Sequence, residues 1–173
     1  RGRGLRRVPG GRGHQLQLSG LGDSPVFDGC EIPVDLWYDV PRDVWLRPED
    51  DGSIVLGLTD PAQTRAGKVL HILFKKVGKH IEAGQSAATI ESAKWAGPFP
   101  TPIAGTVLAT NAEAFAADIL VANRDPYGLG WLVRLEPDAW EPESAGLVTG
   151  DDATERYRAR IEELGVSCLR CAD

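Results

Sequence analysis

The stretch Thr89-Ile90-Glu91-Ser92-Ala93-Lys94-Trp95-Ala96-Gly97 sets a lysine just beyond a candidate β-strand and just before a tryptophan. A lysine on a tight turn has two readings. It is either a solvated charge at a hairpin tip or an amine held out for a modifying enzyme. In the second case a cofactor joined to the amine swings between partner active sites, and a rigid β scaffold fixes where the arm begins.

Other routes to chemistry are poorly supplied. No serine stands in a G-x-S-x-G setting, and neither a Rossmann nor a P-loop fingerprint is present. His14 lies in a glycine- and arginine-rich stretch, His71 within an apolar strand, and His80 beside Lys79 before a turn. His71 reads as a structural residue on the polar face and His80 as solvated. No histidine pair has zinc-ligand spacing, so no metal is expected. The carboxylate pairs Asp50-Asp51, Asp151-Asp152 and Glu162-Glu163 read as loop or helix-surface charges. The three cysteines are Cys30, Cys168 and Cys171. An odd count without a signal peptide argues against a secreted disulfide scaffold. Cys168-Leu169-Arg170-Cys171 has redox or half-metal spacing, but no second pair accompanies it. It reads as a dispensable, partly exposed tail whose cysteines serine can replace.

The elements that must position Lys94 are mostly strands. Val44-Trp45-Leu46 and Ile54-Val55-Leu56-Gly57 form a hairpin around Asp51-Gly52. Thr59 caps a short helix with Pro61 in its first turn, stopped by Gly67. Val69–Phe74, Ala87–Glu91, Thr106–Ala109 and Trp131–Leu135 read as further strands, and Gly105 as a turn residue. Helices are expected at Ala112–Leu120 and at Thr154–Leu164, the latter ended by Gly165. Short strands separated by glycine turns indicate a sandwich or barrel rather than α/β units.

The 173 residues suit one domain, and 42% hydrophobic residues exclude global disorder. The formal charge is −6, a poor basis for a nucleic-acid partner. Five arginines precede the first acid, Asp23, and beyond them 14 basic residues face 25 acidic ones. Arg1–Gly20 therefore reads as a disordered basic tail that adds little to folding. The sequence begins at Arg1 and contains no methionine, as a fragment or processed form would. Arg6-Arg7 is followed by no apolar run, so a twin-arginine export signal is not expected. No stretch approaches the roughly 20 apolar residues of a membrane-spanning helix, and the expected location is the cytoplasm, without a membrane partner.

From about Tyr38 to about Pro137 the sequence resembles the glycine-cleavage H protein family of the lipoyl-domain superfamily. Glu91-Ser92-Ala93-Lys94 matches the family's ES-x-K motif, and Thr101-Pro102-Ile103-Ala104-Gly105 matches its S/T-P-x-x-G turn. Asn123-Arg124-Asp125-Pro126-Tyr127-Gly128-Leu129-Gly130-Trp131 matches the downstream Asn, D/E-P-Y-G and Gly-Trp signature. Trp45-Leu46-Arg47 and Gly57-Leu58-Thr59 match the first hairpin and the approach to the first helix.

The resemblance implies lipoic acid joined by an amide to Lys94, which removes the lysine's charge. Its dithiolane supplies two-electron thiol–disulfide exchange. Glu91 and Ser92 become recognition and tip-shaping residues for a lipoate-attaching enzyme. Asn123, Asp125, Pro126, Tyr127 and Gly128 become structural, with Tyr127 and Trp131 as core anchors. The chain would not be an enzyme but a monomeric carrier. It would take an aminomethyl intermediate and reducing equivalents between glycine dehydrogenase, aminomethyltransferase and dihydrolipoyl dehydrogenase.

The sequence departs from the family pattern around the arm. Trp95 stands where a small residue is usual, and Gly97-Pro98-Phe99-Pro100 is bulky and proline-rich. Asp28–Pro33 and Lys75-Lys76 also depart. These features resemble the divergent lipoate-binding proteins that carry sulfur intermediates for heterodisulfide-reductase-like complexes in sulfur oxidation. They leave that cargo open, alongside a non-lipoylated structural or regulatory relative. Trp95 is the expected partner contact. The expected architecture is all-β dominated: a lipoyl-domain-like flattened barrel or sandwich of two antiparallel sheets, with short edge helices and a C-terminal helix. Its expected parts are the basic tail (1–26), the lipoyl domain (27–148) and the C-terminal helix and tail (149–173).

Overall fold

The computed structural model describes residues 24–172. Arg1–Gly20 and His14 lie outside the described residues. In chain order the strands are β1 (Val26–Phe27), β2 (Cys30–Glu31), β3 (Trp37–Asp39), β4 (Val44–Pro48), β5 (Ile54–Leu58), β6 (Val69–Phe74), β7 (His80–Ile81), β8 (Ser86–Ser92), β9 (Ala96–Pro100), β10 (Gly105–Thr110), β11 (Val133–Pro137) and β12 (Val148–Thr149). The helices are α1 (Asp60–Ala66), α2 (Ala112–Ala117), α3 (Val121–Arg124), α4 (Trp140–Ser144) and α5 (Gly150–Leu164).

Two antiparallel sheets form the sandwich. The larger has the order β12-β3-β4-β5-β11-β10-β7 and the smaller β6-β8-β9, with β1 and β2 as a separate two-stranded ribbon. Leu46, Leu56, Ile90, Phe99, Val107 and Leu135 belong to the main core. A second core holds Tyr38, Trp45 and Val55 together with Ala153, Tyr157 and Ile161 of α5. Those three helix positions recur every fourth residue, which makes the apolar stripe that α5 buries. Both faces of the central strands are thus covered, so Val44-Trp45-Leu46 and Ile54-Val55-Leu56 are apolar without alternation.

The architecture agrees with the sandwich and edge helices expected from the sequence, with several local differences. β9 was not expected, because Pro98 and Pro100 lack the N–H that a ladder uses. As the outer strand of its sheet, β9 tolerates them. The expected helix Ala112–Leu120 stops at Ala117, because Asp118 leaves α2 for an extended conformation. The carboxylate of Asp118 instead takes the N–H of Leu120 at 3.0 Å and pairs with Arg124. α5 begins four residues earlier than Thr154, after the extended Thr149. Gly105 is not a turn residue; it opens β10 opposite Pro137. A methyl group there would lie 2.5 Å from the carbonyl oxygen of Glu136, so close strand approach is what excludes a side chain.

The largest correction concerns the cysteines. Cys30 and Cys168 form a disulfide across a sequence separation of 138, and Cys171 is free. The C-terminal segment is not a loose tail. Cys168 N–H donates to Asp28 O at 2.8 Å, and Cys171 N–H to Asn123 O at 3.0 Å. Arg170 reaches the buried carboxylate of Asp60 through Nε at 3.1 Å and Nη2 at 3.0 Å, and Glu31 Oε2 at 2.7 Å. Spacing within the sequence pointed to the neighbouring pair Cys168/Cys171; the fold instead brings the tail to the β1–β2 turn.

Candidate functional site

The site is built on the turn between β8 and β9. Ala93, Lys94 and Trp95 form the turn and all three are exposed. Ser92 N–H donates to Trp95 O at 2.8 Å, closing it. The Ser92 hydroxyl is buried at the turn's base. It accepts from Trp95 N–H at 3.2 Å and lies 2.7 Å from Ala66 O and 2.8 Å from Trp95 O, its one proton serving either carbonyl. Ser92 therefore shapes the tip from inside, whereas Glu91 is exposed on the outer face.

The tip is also gripped from α1. A helix end leaves carbonyls without intrahelical partners. Here Ala66 O accepts from Lys94 N–H at 3.2 Å, and Lys68 O accepts from Ala93 N–H at 2.9 Å. Gly67 makes the geometry possible. Its φ of 77° suits glycine, and a methyl there would lie 3.4 Å from Lys94 Cγ, so the lysine stem lies over it. The start of α1 is as expected: Thr59 Oγ1 accepts from Ala62 N–H at 3.3 Å, with Pro61 in the first turn.

Asn123 holds the junction that follows. It is 1% exposed. Its Nδ2 donates to Gly67 O at 3.0 Å and Gln63 Oε1 at 3.2 Å, and its Oδ1 accepts from Val69 N–H at 3.0 Å. Asn123 is structural, as expected. It fixes the exit from α1, and through it the tip, rather than only its own loop. Tyr127 is an anchor of the same network: its hydroxyl accepts from Asp60 N–H at 2.9 Å and donates to Glu31 O at 2.6 Å. Burial pushes the Tyr127 phenol well above its ordinary pKa, so it stays a neutral donor.

Gln63 and Arg170 were missed by sequence reasoning. Gln63 Nε2 donates to Asp60 Oδ1 at 3.0 Å and to Leu169 O at 2.8 Å, tying α1 to the tail. Burial opposes the charge of Arg170, but the hydrogen bonds and charges of Asp60 and Glu31 outweigh it and raise its pKa. No local sequence motif marks this pairing, because its members lie 110 residues apart.

Lys94 itself takes part in no ion pair or side-chain hydrogen bond among the described residues. Beside it runs a groove of about 320 Å³ between α1 and β9, with Leu58, Ala62, Trp95 and Phe99 among its walls and Arg65 at its rim. Trp95 is 43% exposed, so it is a surface residue rather than a core one. It leans over Gly97, where a methyl would lie 2.5 Å from its ring. This arrangement offers one free primary amine on a braced tip, next to an apolar channel. It fits an amide-linked alkyl arm. Among the described residues no group of three or more His, Cys, Asp or Glu side chains could hold a metal. No described helix is long and apolar enough to cross a membrane. His71 is exposed on β6, and His80, also exposed, pairs with Asp138 at 2.7 Å rather than standing free in solvent.

Comparison with known proteins places these features in a family. The family model for the glycine cleavage H-protein matches residues 36–160. The chain is 40% identical over 158 residues to glycine cleavage system H protein 3 of Aquifex aeolicus, covering 90% of this chain and 98% of that one. It is 42% identical over 147 residues to probable glycine cleavage system H protein 2 of Saccharolobus solfataricus, covering 84% and 98%. The crystal structure of a glycine cleavage system H protein from Mycobacterium marinum superposes with a TM-score of 0.61 at 26% identity, over 73% of this chain and 98% of that one.

Proposed function

Since the chain belongs to the glycine cleavage H-protein family, we propose that Lys94 is the residue through which it carries its lipoyl group. The chain is a lipoyl carrier of the glycine-cleavage H type, and not itself an enzyme. When bound, the lipoyl group supplies reversible thiol–disulfide chemistry at the end of a long arm. This chain's residues do the positioning.

The observation that carries the assignment is the free amine of Lys94 on a tip braced from both sides. Ser92 closes the turn, and the Ala66 and Lys68 carbonyls hold its backbone. Glu91, exposed beside the tip, offers a carboxylate to the lipoate-attaching enzyme, while Ser92 keeps the shape that enzyme must meet. Leu58, Ala62 and Phe99 give an alkyl arm an apolar wall beside its root, which limits its exposure to water. Trp95 stands at the tip as a contact for the partner that receives the arm. The partners in this reading are the lipoate-attaching enzyme, glycine dehydrogenase, aminomethyltransferase and dihydrolipoyl dehydrogenase, each meeting a monomeric carrier in the cytoplasm. The sulfur-carrier alternative has no such support, since the family model and the relatives named above are H proteins by description.

Lys94→Arg tests the proposal. Arginine keeps the charge but cannot form the lipoyl amide. Incubation with a lipoate-attaching enzyme should leave its intact mass unchanged, with folding preserved. Incorporation equal to the wild type would overturn the assignment.

A further inference from the structure

All five lysines of the chain lie between Lys68 and Lys94, and over that span the only acids are Glu82 and Glu91. The chain as a whole is acidic, at −6, whereas this span is locally positive, five lysines against two glutamates. That part is β6, the turn after it and the β8–β9 tip. Every one of the five lysines is exposed. Among the described residues the ion pairs are all made by arginine or histidine, and no lysine joins one. Most of the described arginines are spent on internal pairing, while the lysines are left facing outward.

The same region exposes large apolar side chains. Leu70 is 60% exposed, Leu73 61% and Val77 63%. Leu70 falls at the bulge between Val69 and His71, Val77 lies in the turn after β6, and strand register accounts for Leu73. Ile72 faces inward beside Ile90, whereas Leu73, opposite Thr89 and in line with Pro98, points away from the core. His71, Glu91 and Ala96 form the next outward row. An apolar centre rimmed by unpaired lysines is costly to leave in water and is the composition of a contact surface. Lysine rims steer association with a negatively charged partner.

We propose that the outer face of β6, β8 and β9 is a docking surface for an acidic, apolar-centred patch on an enzyme that receives the arm. Its location supports the choice of occupant, because β8 and β9 run directly into the Lys94 tip. A partner seated on this face has the root of the arm at its margin. Nucleic acid is disfavoured by Glu91 on the central strand β8 and by the overall negative charge. The inference rests on the carrier reading only for the identity of the partner as an arm-receiving enzyme.

The test uses the full lipoylated chain and the purified cognate glycine dehydrogenase, aminomethyltransferase and dihydrolipoyl dehydrogenase, each titrated separately. Two variants alter the face: Leu73→Glu and Lys75→Glu. Arg156→Glu, on the exposed side of α5, controls for net charge. The face variants should bind at least one enzyme tenfold or more weakly, with melting and lipoylation as in the wild type, and the wild-type affinity should fall as salt rises. Unchanged affinity for all three enzymes would overturn the proposal. So would an equal loss with Arg156→Glu, or wild-type binding to phosphatidylserine vesicles that the face variants abolish while enzyme binding stays intact. If Lys94 proves unmodified yet the face variants still lose enzyme binding, the carrier assignment fails and the docking surface stands.

Discussion

Replacing both Cys30 and Cys168 by alanine should destabilise the protein severely. The bond closes a loop with a sequence separation of 138. In the chain-entropy description, a cross-link of that length removes about 5 kcal/mol worth of freedom from the unfolded chain at 25 °C. Measured values commonly fall below that limit, since unfolded chains keep some compactness. Cys30 is fully buried and Cys168 is 7% exposed, so truncation also removes packing at the junction of tail and ribbon. The expected loss is roughly 3–5 kcal/mol. Urea unfolding with and without dithiothreitol measures it. The oxidised wild type should show the highest midpoint, and the double variant should not respond to reductant. Cys171→Ser should stay within about 0.5 kcal/mol of the wild type, as a change outside the bond. A double variant as stable as the oxidised wild type would refute the view that the tail is strapped to the body.

Asn123→Ala should cost about 1–3 kcal/mol by orphaning the buried Val69 N–H and Gly67 carbonyl, and hydrogen exchange should show faster opening of the Ala93 and Lys94 amides. Gly57→Ala places a methyl 2.6 Å from the buried Trp45 indole and should cost about 1–3 kcal/mol by overpacking, read by thermal melting, with Lys94 still modified. His80 has a raised pKa because its ring hydrogen-bonds the Asp138 carboxylate, aided by the charges of Asp138 and Glu82. The stabilisation it gives is therefore fully present below the ordinary histidine value and fades as pH rises through the raised folded value. Melting curves of wild type and His80→Gln should differ at pH 6 and converge by about pH 9.

Much of the scaffold was legible because its signals are local. Asp51-Gly52 between two apolar runs marks a hairpin, and Thr59, Pro61 and Gly67 bracket α1 by capping chemistry alone. The tip was legible for the same reason: Glu91-Ser92-Ala93-Lys94 is a short contiguous motif. What escaped depends on contacts between distant parts of the chain. β9 contains prolines that local propensity counts against a strand, and only its edge position reconciles them. Cys168 has a nearer candidate partner in sequence than the one it takes. Asn123, Gln63 and Asp60 meet because α1, α3 and the tail converge, and nothing in their immediate neighbours announces it.

The central claim, that Lys94 bears the lipoyl group, is tested most directly by peptide mapping. The protein is incubated with a lipoate-attaching enzyme and lipoate, digested, and sequenced by tandem mass spectrometry. The lipoyl mass should fall on Lys94 alone, with Lys68, Lys75, Lys76 and Lys79 unmodified. A lipoyl group on any of those four, or none on Lys94 after complete digestion coverage, would contradict the account.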